Sequence, residues 1–316
     1  MSRAQALIVA GPTASGKSAL ALAIAEQVGG TVINADSMQV YRELRILTAR
    51  PTPEEEARVP HRLYGVRPAA EAGTVAWWRE AALREMAAAP GLPILCGGTG
   101  LYLAALVNGL ADIPPVPAGA RDEARRLLAE EGAPGLHARL AALDPETAAT
   151  LRPSDSQRVA RAYEVALGTG KGLAAWRRAG GTGLAPWRFR AILLDPPRDA
   201  LRAAIGARWD AMVSAGALEE VRALLSLGLD PALPAMRAHG VPELAAHMAG
   251  RMTREEAGAR AKLLIGQYTK RQATWFRHHV LAAPSDTHSI DARVGAWTQF
   301  SECQQAEILH FVRNAR

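Results

Sequence analysis

Cysteine, lysine and long apolar runs are scarce in this chain of 316 residues. The two cysteines, Cys96 and Cys303, are too far apart for a metal-binding spacing, and two thiols make no disulfide framework. This scarcity favours a reducing compartment, so we expect a cytoplasmic protein. No apolar run reaches the length of a membrane span, and the opening "MSRAQALIVAGPT" lacks the features of a signal peptide. We therefore expect no membrane association.

The basic residues are almost all arginine. Only four of the 37 basic residues are lysine, the formal net charge is +6 and the pI is about 9.7. A positive charge is typical of proteins that bind polyanions, but a GC-rich genome produces the same arginine content. The charge alone does not distinguish these explanations. One of the few lysines, Lys17, lies in a glycine-rich loop.

Short apolar segments alternate with helical ones in most of the chain. The segments "ALIVA", "TVINAD" (31–36), "LPILCGG" (92–98) and "FRAILLD" (189–195) are typical of buried parallel strands. Between Ile113 and Gly183 the pattern is helical and arginine-rich, and proline- and glycine-rich breaks flank it. The sequence predicts an α/β core over 1–113 and 184–316, with a parallel sheet flanked by helices, and an all-helical insertion over 114–183.

The segment "GPTASGKS" (11–18) matches the phosphate-loop pattern at every fixed position. A predicted strand precedes it and a predicted helix follows it, which is the context that the pattern requires. The backbone N–H groups of such a loop hold phosphate oxygens at a helix N-terminus. Lys17 is expected to bridge phosphates, and the Ser18 hydroxyl to bind Mg²⁺. The pattern predicts a phosphate ligand without saying which one.

Two further segments follow predicted strands. Asp36 lies at the C-terminal end of the second predicted strand, where doubly wound folds place ligands, although an aspartate there also caps helices. Gln39 has a donor and an acceptor that suit a base edge, and Tyr41 can stack or pack. In "CGGTGLY" (96–102), the glycines are predicted to let a ligand approach the backbone, with Thr99 pointing at it.

Two basic segments allow alternative interpretations. On the predicted helix of "SDSQRVARAYEVA" (154–166), Val159, Ala162, Tyr163 and Ala166 form an apolar face, and Gln157, Arg158 and Arg161 form a polar one. The polar face is either solvated or bound to RNA phosphates. In "GQYTKRQATWFRHH" (266–279), the aromatic residues either bind nucleic acid or, as we favour, belong to the core beneath outward-pointing arginines.

These motifs, in this order, resemble those of the bacterial tRNA dimethylallyltransferases, also called tRNA isopentenyltransferases. The resemblance covers nearly the whole chain and rests on "GPTASGKS", "ADSMQVYR", "TARP" (48–51), "PHRL" (60–63), "LCGGTGLYL", "DSQRVARAYEV" and "KRQATWFR". It implies a P-loop NTPase-like core with a helical insertion that grips tRNA. It also implies transfer of a dimethylallyl group from dimethylallyl diphosphate to the N6 amine of the adenosine 3′ of the anticodon, with release of diphosphate and help from Mg²⁺.

The resemblance also assigns residue roles. It implies Asp36 as the general base, Thr99 beside the reacting base and Arg208 on the diphosphate side. The implied diphosphate-binding residues are Gly11, Pro12, Thr13, Ala14, Ser15, Gly16, Lys17 and Ser18, and Ser18 is also the implied metal ligand. The implied tRNA contacts are Asp36, Ser37, Met38, Gln39, Thr99, Arg121, Gln157, Arg158, Val159, Ala160 and Arg161. The expected partners are the tRNA anticodon stem-loop and dimethylallyl diphosphate, bound by a monomer.

The chain departs from the family pattern in places, and two other functions stay open. Ser18 replaces the usual threonine, "LTARP" replaces "GTAKP", and "RAHGVPEL" (237–244) departs so far that it receives no role. One alternative is a small-molecule kinase, against which the glycines at the end of the third strand argue. The other is a non-catalytic RNA-binding module, against which the intact Lys17, Ser18 and Asp36 argue.

Overall fold

The computed structural model describes residues 4–313 and contains one parallel sheet. Within these residues the sheet has six strands, in the order β3-β2-β4-β1-β5-β6. The strands are β1 (Ala4–Ala10), β2 (Thr31–Asn34), β3 (His61–Arg62), β4 (Pro93–Gly97), β5 (Trp187–Leu194) and β6 (Thr287–Ile290). The predicted α/β class is confirmed. The sequence analysis missed β3 and β6, since β3 has two residues and β6 lacks a continuous apolar run.

Helices occupy most of the remaining described chain. They are α1 (Lys17–Val28), α2 (Pro53–Arg58), α3 (Val75–Ala88), α4 (Gly100–Asn108), α5 (Ala118–Leu143), α6 (Pro145–Thr150), α7 (Ser156–Thr169), α8 (Leu173–Arg178), α9 (Arg198–Ser214), α10 (Ala217–Ser226), α11 (Val241–Met248), α12 (Arg254–His278) and α13 (Glu302–Arg313). Helix α5 is broken at Gly132, whose φ is 69°. In residues 4–313 no helix has the length and apolar character needed to cross a bilayer.

Both faces of the sheet are buried, as the apolar strands predicted. In β1, Ala6, Ile8 and Ala10 point into one hydrophobic cluster, and the alternating Leu7 and Val9 point into another. The first cluster takes in residues of α3, α4 and α9 to α12, and the second takes in residues of α1 and α13. Burial on both faces explains why β1 has no polar residue after Gln5.

The chain divides into two compact units. One runs up to Val107 and resumes at Ala185, and the other is Asn108–Leu184. The second unit is all-helical apart from an isolated bridge between Ala111 and Gly181, and its core contains Leu127, Leu140 and Val159. The predicted insertion (114–183) lies within this unit. The unit begins earlier than predicted, and the chain segments that enter and leave it pair at that bridge.

The strand order places the three motif-bearing strands side by side. Strand β4 pairs with β1 on one side and with β2 on the other, with Ala10 opposite Gly97 and Asn34 opposite Cys96. Because parallel strands end at the same edge of a sheet, the segments that follow Ala10, Asn34 and Gly97 are neighbours. The fold thus brings the phosphate loop, Asp36 and Thr99 together.

Candidate active site

The phosphate loop connects β1 to α1 and is held from behind by the segment that follows β6. Val294 N donates to Ser15 O at 2.9 Å, and Arg293 Nε donates to Ala14 O at 3.1 Å. Gly16 has a φ of 93°, and a Cβ there would lie 1.7 Å from Val294 O. Only glycine fits this turn, both for its backbone conformation and for its close approach to the neighbouring chain.

The loop ends in a helix N-terminus with unpaired donors. Helix α1 begins at Lys17, and its first N–H groups have no acceptor within the helix. They point to the start of the helix, where an anion is favoured by both hydrogen bonding and the helix dipole. Ser18 is exposed at this position and lines the same cleft as Lys17.

Thr13 does not belong to this set of free donors. Its N–H and its hydroxyl both donate to Oε1 of Gln272 on α12, at 2.8 and 2.9 Å. Pro12 has no N–H, and the Ser15 side chain is fully buried. Ser15 N–H also donates inside the loop, to Pro12 O at 3.2 Å. The prediction that every residue from 11 to 18 binds phosphate is therefore corrected for Pro12, Thr13 and Ser15, and the available donors include the N–H groups of Ala14, Gly16, Lys17 and Ser18.

Two cations face the cleft next to the loop. Burial lowers the pKa of Lys17, and the nearby Asp36 carboxylate opposes that shift. Burial likewise lowers the pKa of Arg208 on α9, again opposed by Asp36, while Arg293 adds to the lowering. Arg208 donates to Thr48 O at 3.3 Å, which fixes its position at the wall. A bound diphosphate would compensate for the desolvation of both cations.

Asp36 stands on a turn that Asn34 organises. Asn34 Oδ1 accepts from Asp36 N at 2.8 Å, and Asn34 Nδ2 donates to Asp36 O and Leu63 O, both at 3.0 Å. Asp36 Oδ1 accepts from Met38 N at 2.9 Å. No helix follows this turn, so the helix-capping alternative does not apply. The carboxylate lines the cleft, and no described residue hydrogen-bonds Oδ2.

Thr99 connects the ends of β2 and β4. Its Oγ1 accepts from Ser37 N at 2.9 Å and donates to Ser37 Oγ at 3.3 Å, and its N–H donates to Ala35 O at 3.2 Å. Tyr268 on α12 lies beside Thr99, and burial raises the pKa of Tyr268 to about 12, so its hydroxyl stays protonated. Thr99 therefore fixes the position of Ser37, the neighbour of Asp36.

The glycines beside Thr99 have a different use from the predicted one. An added Cβ would lie 2.1 Å from the Ala35 backbone at Gly97, 2.3 Å from Gln272 Nε2 at Gly98 and 2.3 Å from the Trp275 ring at Gly100. The space above each glycine is filled by protein. The prediction that these glycines let a ligand approach the backbone is wrong, because the Ala35 backbone and side chains of α12 occupy that space.

One cleft, with about 780 Å³ of space free of protein atoms and partly open to solvent, contains the functional groups. Lys17, Ser18 and Arg208 line it together with Asp36. An apolar wall completes it, formed by Leu47, Ile205, Trp209, Met212 and Ile265. The cleft thus combines a site for phosphate, a carboxylate and a surface for a small hydrocarbon.

His239 also lines the cleft, although no role was predicted for it. Its ring lies 5.2 Å from that of Tyr268, and burial lowers its pKa. The next residue, Gly240, has a φ of 100°, and a Cβ there would lie 2.8 Å from Leu47. The departure of "RAHGVPEL" from the family pattern hid this residue, and the only available signal was a histidine before a glycine.

The remaining residues of the Asp36 segment have mostly structural contacts. Gln39 Nε2 donates to Thr48 O at 2.9 Å and Ala49 O at 2.8 Å, so these donors are committed and the prediction that they read a base edge is corrected. Tyr41 is fully buried, and its hydroxyl accepts from Gly73 N at 3.0 Å, so it packs. Met38 lines the cleft.

In the helical unit, the predicted tRNA contacts separate into exposed and buried residues. Arg121 on α5 and Gln157, Arg158 and Arg161 on α7 are exposed. Val159 is fully buried in the unit's core, as its apolar face predicted, so its assignment as a tRNA contact is corrected. Ala160 is half-buried against the same core.

The residues around Ser18 suit a metal that arrives with its substrate. Residues 4–313 contain no group of three or more His, Cys, Asp or Glu side chains arranged to hold an ion. Mg²⁺ needs only one or two protein oxygens when phosphates and water complete its coordination. The exposed Ser18 hydroxyl and the Asp36 carboxylate supply hard oxygen atoms in the cleft, which fits this mode of binding.

Residues 39–279 match the model of the IPP transferase family. The chain belongs to this family. It is 61% identical to the tRNA dimethylallyltransferase of Acidiphilium cryptum, over 97% of this chain and 94% of that one. It is 58% identical to the tRNA dimethylallyltransferase of Granulibacter bethesdensis, over 99% of each chain. The resemblance stated from the motifs is thereby confirmed.

Solved structures agree with the family assignment. The tRNA isopentenylpyrophosphate transferase of Bacillus halodurans superposes with a TM-score of 0.68 and 32% identity, covering 98% of this chain and 95% of that one. A eukaryotic dimethylallyltransferase, described as acting on tRNA, superposes with a TM-score of 0.81 and 24% identity, covering 99% of this chain and 80% of that one. The second likeness bears on the fold alone.

Proposed function

We propose that this chain transfers the dimethylallyl group of dimethylallyl diphosphate to the N6 amine of the adenosine immediately 3′ of the anticodon in tRNA. The names of its relatives support a tRNA prenyl transfer. The observation that carries the proposal is the single cleft in which a phosphate loop and two cations share a wall with Asp36. Each part of that cleft has a task in this reaction.

The phosphate end would hold the leaving group. Lys17 and Arg208 line this end of the cleft. Together with the N–H groups of Ala14, Gly16, Lys17 and Ser18, they would face the negative charge that grows on diphosphate as the allylic C–O bond breaks. Ser18 would hold Mg²⁺, which supplies further neutralisation of that charge. The apolar wall with Ile205 and Trp209 suits the hydrocarbon chain.

The acceptor end would hold the adenine. The N6 amine attacks the allylic carbon, a C–N bond forms, and the electron pair of the broken C–O bond leaves with diphosphate. Oδ2 of Asp36 would take the amine proton, while Oδ1 stays bound to Met38 N. The target base must first leave its stack, which needs least energy in a flexible anticodon loop.

The helical unit would bind the tRNA backbone. Arg121, Arg158 and Arg161 are exposed and can contact phosphates, which adds affinity that depends on salt. We further propose that the protein works as a monomer in the cytoplasm. The scarcity of cysteine supports that location.

The direct test incubates the purified chain with Mg²⁺, dimethylallyl diphosphate and unmodified tRNA, digests the RNA to nucleosides and analyses them by mass spectrometry. We expect a prenylated adenosine that requires the donor and is absent when the anticodon loop lacks the target adenosine. The proposal is overturned if no prenylated nucleoside forms while the protein phosphorylates a small acceptor with ATP.

A further inference from the structure

Gln272 on α12 connects two segments of the cleft that lie far apart in sequence. Its side chain is only 4% exposed. Oε1 accepts from Thr13 N and Thr13 Oγ1, at 2.8 and 2.9 Å, across 259 residues of chain. Nε2 donates to Gly98 O at 2.8 Å, across 174 residues. One planar amide therefore spans the gap between the two loops.

The two loops carry opposite halves of the reaction. Thr13 precedes the phosphate loop donors, and Gly98 precedes Thr99, which sets the position of Ser37 beside Asp36. Tyr268, one turn earlier on α12, lies beside both Gln272 and Thr99. Helix α12 thus fixes the donor side and the acceptor side through neighbouring side chains.

The sequence around Gln272 is adapted to this contact. A Cβ at Gly98 would lie 2.3 Å from Nε2 and 3.3 Å from the amide carbon. Glycine at 98 therefore leaves the room that the amide occupies. Both Thr13 donors are also used by the amide rather than by phosphate, which gives Thr13 a task that the phosphate-loop pattern alone does not explain.

We propose that Gln272 is a positioning residue that holds the phosphate loop and the loop before Thr99 at the separation required for prenyl transfer. This inference rests on the proposed function, since it presumes a donor at Lys17 and an acceptor at Asp36. Misplacement of reacting groups by about 1 Å lowers rates by about 10²-fold. Gln272 touches neither substrate in this account, so its loss should affect turnover more than binding.

The test compares steady-state kinetics of wild type and Gln272→Leu, which keeps the bulk of the side chain but loses its hydrogen bonds. We expect kcat to fall about 10²-fold, with KM for dimethylallyl diphosphate and for tRNA each within about threefold. Diphosphate release should also exceed prenylation. When the acceptor is held less firmly, water attacks the allylic carbon in place of the amine and then loses a proton. Gln305→Leu is the matched control, since Gln305 also donates to two backbone carbonyls, Trp297 O and Phe300 O.

A second variant keeps the test decisive if Gln272→Leu folds poorly. Gly98→Ala retains the glutamine but pushes Nε2 away, and should reproduce the kcat loss. The double variant should lose little more than either single one, because both break one contact. The inference is overturned if kcat in both variants stays near wild type while the melting temperature falls as in Gln305→Leu, or if only a KM rises. A wild-type chain without transfer activity would instead refute the proposed function.

Discussion

The sheet edge and the helical unit use positive charge in different ways. At the sheet edge, burial lowers the pKa values of Lys17 and Arg208, so their charges are held at an energetic disadvantage until an anion arrives. In the helical unit, Arg126 and Arg139 are exposed, and hydrogen bonds to Glu123 and Glu131 raise their pKa values.

Under the proposed function, the difference predicts two kinds of phosphate recognition. A buried cation is screened little by salt and favours one specific anion, whereas exposed arginines with acidic neighbours act weakly and lose strength as salt rises. Net charge alone could not separate these groups. The comparison predicts large effects on turnover at the sheet edge and small, salt-dependent effects on binding in the helical unit.

The largest effect is expected at Asp36. Asp36→Asn keeps an oxygen that accepts from Met38 N, so the turn should persist, but an amide cannot take the amine proton. We expect the single-turnover rate of transfer to fall about 10³-fold with tRNA affinity unchanged. A rate within threefold of wild type would show that another group accepts the proton.

Arg208 tests the buried cations. Arg208→Lys keeps the charge but loses the planar guanidinium, whose several N–H groups can bind both Thr48 O and a diphosphate. We therefore expect kcat/KM for dimethylallyl diphosphate to fall about 10- to 10²-fold. Arg202→Lys, at an exposed position on the same helix, is the control and should be near wild type. Equal effects in the two variants would argue against a specific anion site at Arg208.

Arg161 tests the exposed cations. Arg161→Ala on α7 should weaken tRNA binding only a few-fold. The slope of log affinity against log salt concentration should fall by about one, as expected for the loss of one phosphate contact, and kcat at saturating tRNA should not change. Arg126→Ala is the control within the same unit, because two carboxylates, those of Glu123 and Glu130, engage Arg126 at 2.8 and 2.5 Å, whereas only Glu164, at 3.3 Å, pairs with Arg161. Binding measured over a salt series distinguishes the two. If Arg161→Ala binds tRNA with the wild-type salt slope, Arg161 does not contact the tRNA.

The smallest effect concerns stability and pH. Burial lowers the pKa of His239 below its usual 6.5, so the folded state resists a proton that the unfolded chain accepts. The contribution of neutral His239 to the free energy of unfolding is fully present above pH 6.5. It is lost as the pH falls through the pKa of His239 in the folded state. Urea unfolding at pH 7.5 and 5.5 should show a smaller difference for His239→Gln than for wild type. His278→Gln, at an exposed position, should keep the wild-type difference.

The sequence predicted the elements whose signals are local. The apolar runs of β1, β2, β4 and β5 and the strand–loop–helix context of "GPTASGKS" are readable within a few residues. The amphipathic pattern of α7 likewise identified Val159 as core, although the family resemblance assigned the same residue to tRNA.

Contacts between distant segments could not be predicted in this way. The glycines at 97, 98 and 100 give the same local pattern whether a ligand or a protein side chain lies above them, and only the fold shows Ala35, Gln272 and Trp275 there. The hydrogen bonds that occupy the side-chain amide of Gln39, and the position of His239 in the cleft, depend on similar tertiary contacts. The residues that the sequence missed are those whose partners lie far along the chain.

The most direct test of the central claim is a crystal structure with a non-reactive thiolo analogue of dimethylallyl diphosphate and Mg²⁺. We expect the diphosphate on the N–H groups of Ala14, Gly16, Lys17 and Ser18, with Lys17 and Arg208 beside it and the allylic carbon facing Asp36. A groove between α9 and α12, lined by Arg198, Lys270 and Arg277, is a second basic cavity large enough for it. A diphosphate bound in that groove, with the phosphate loop empty, would contradict the account.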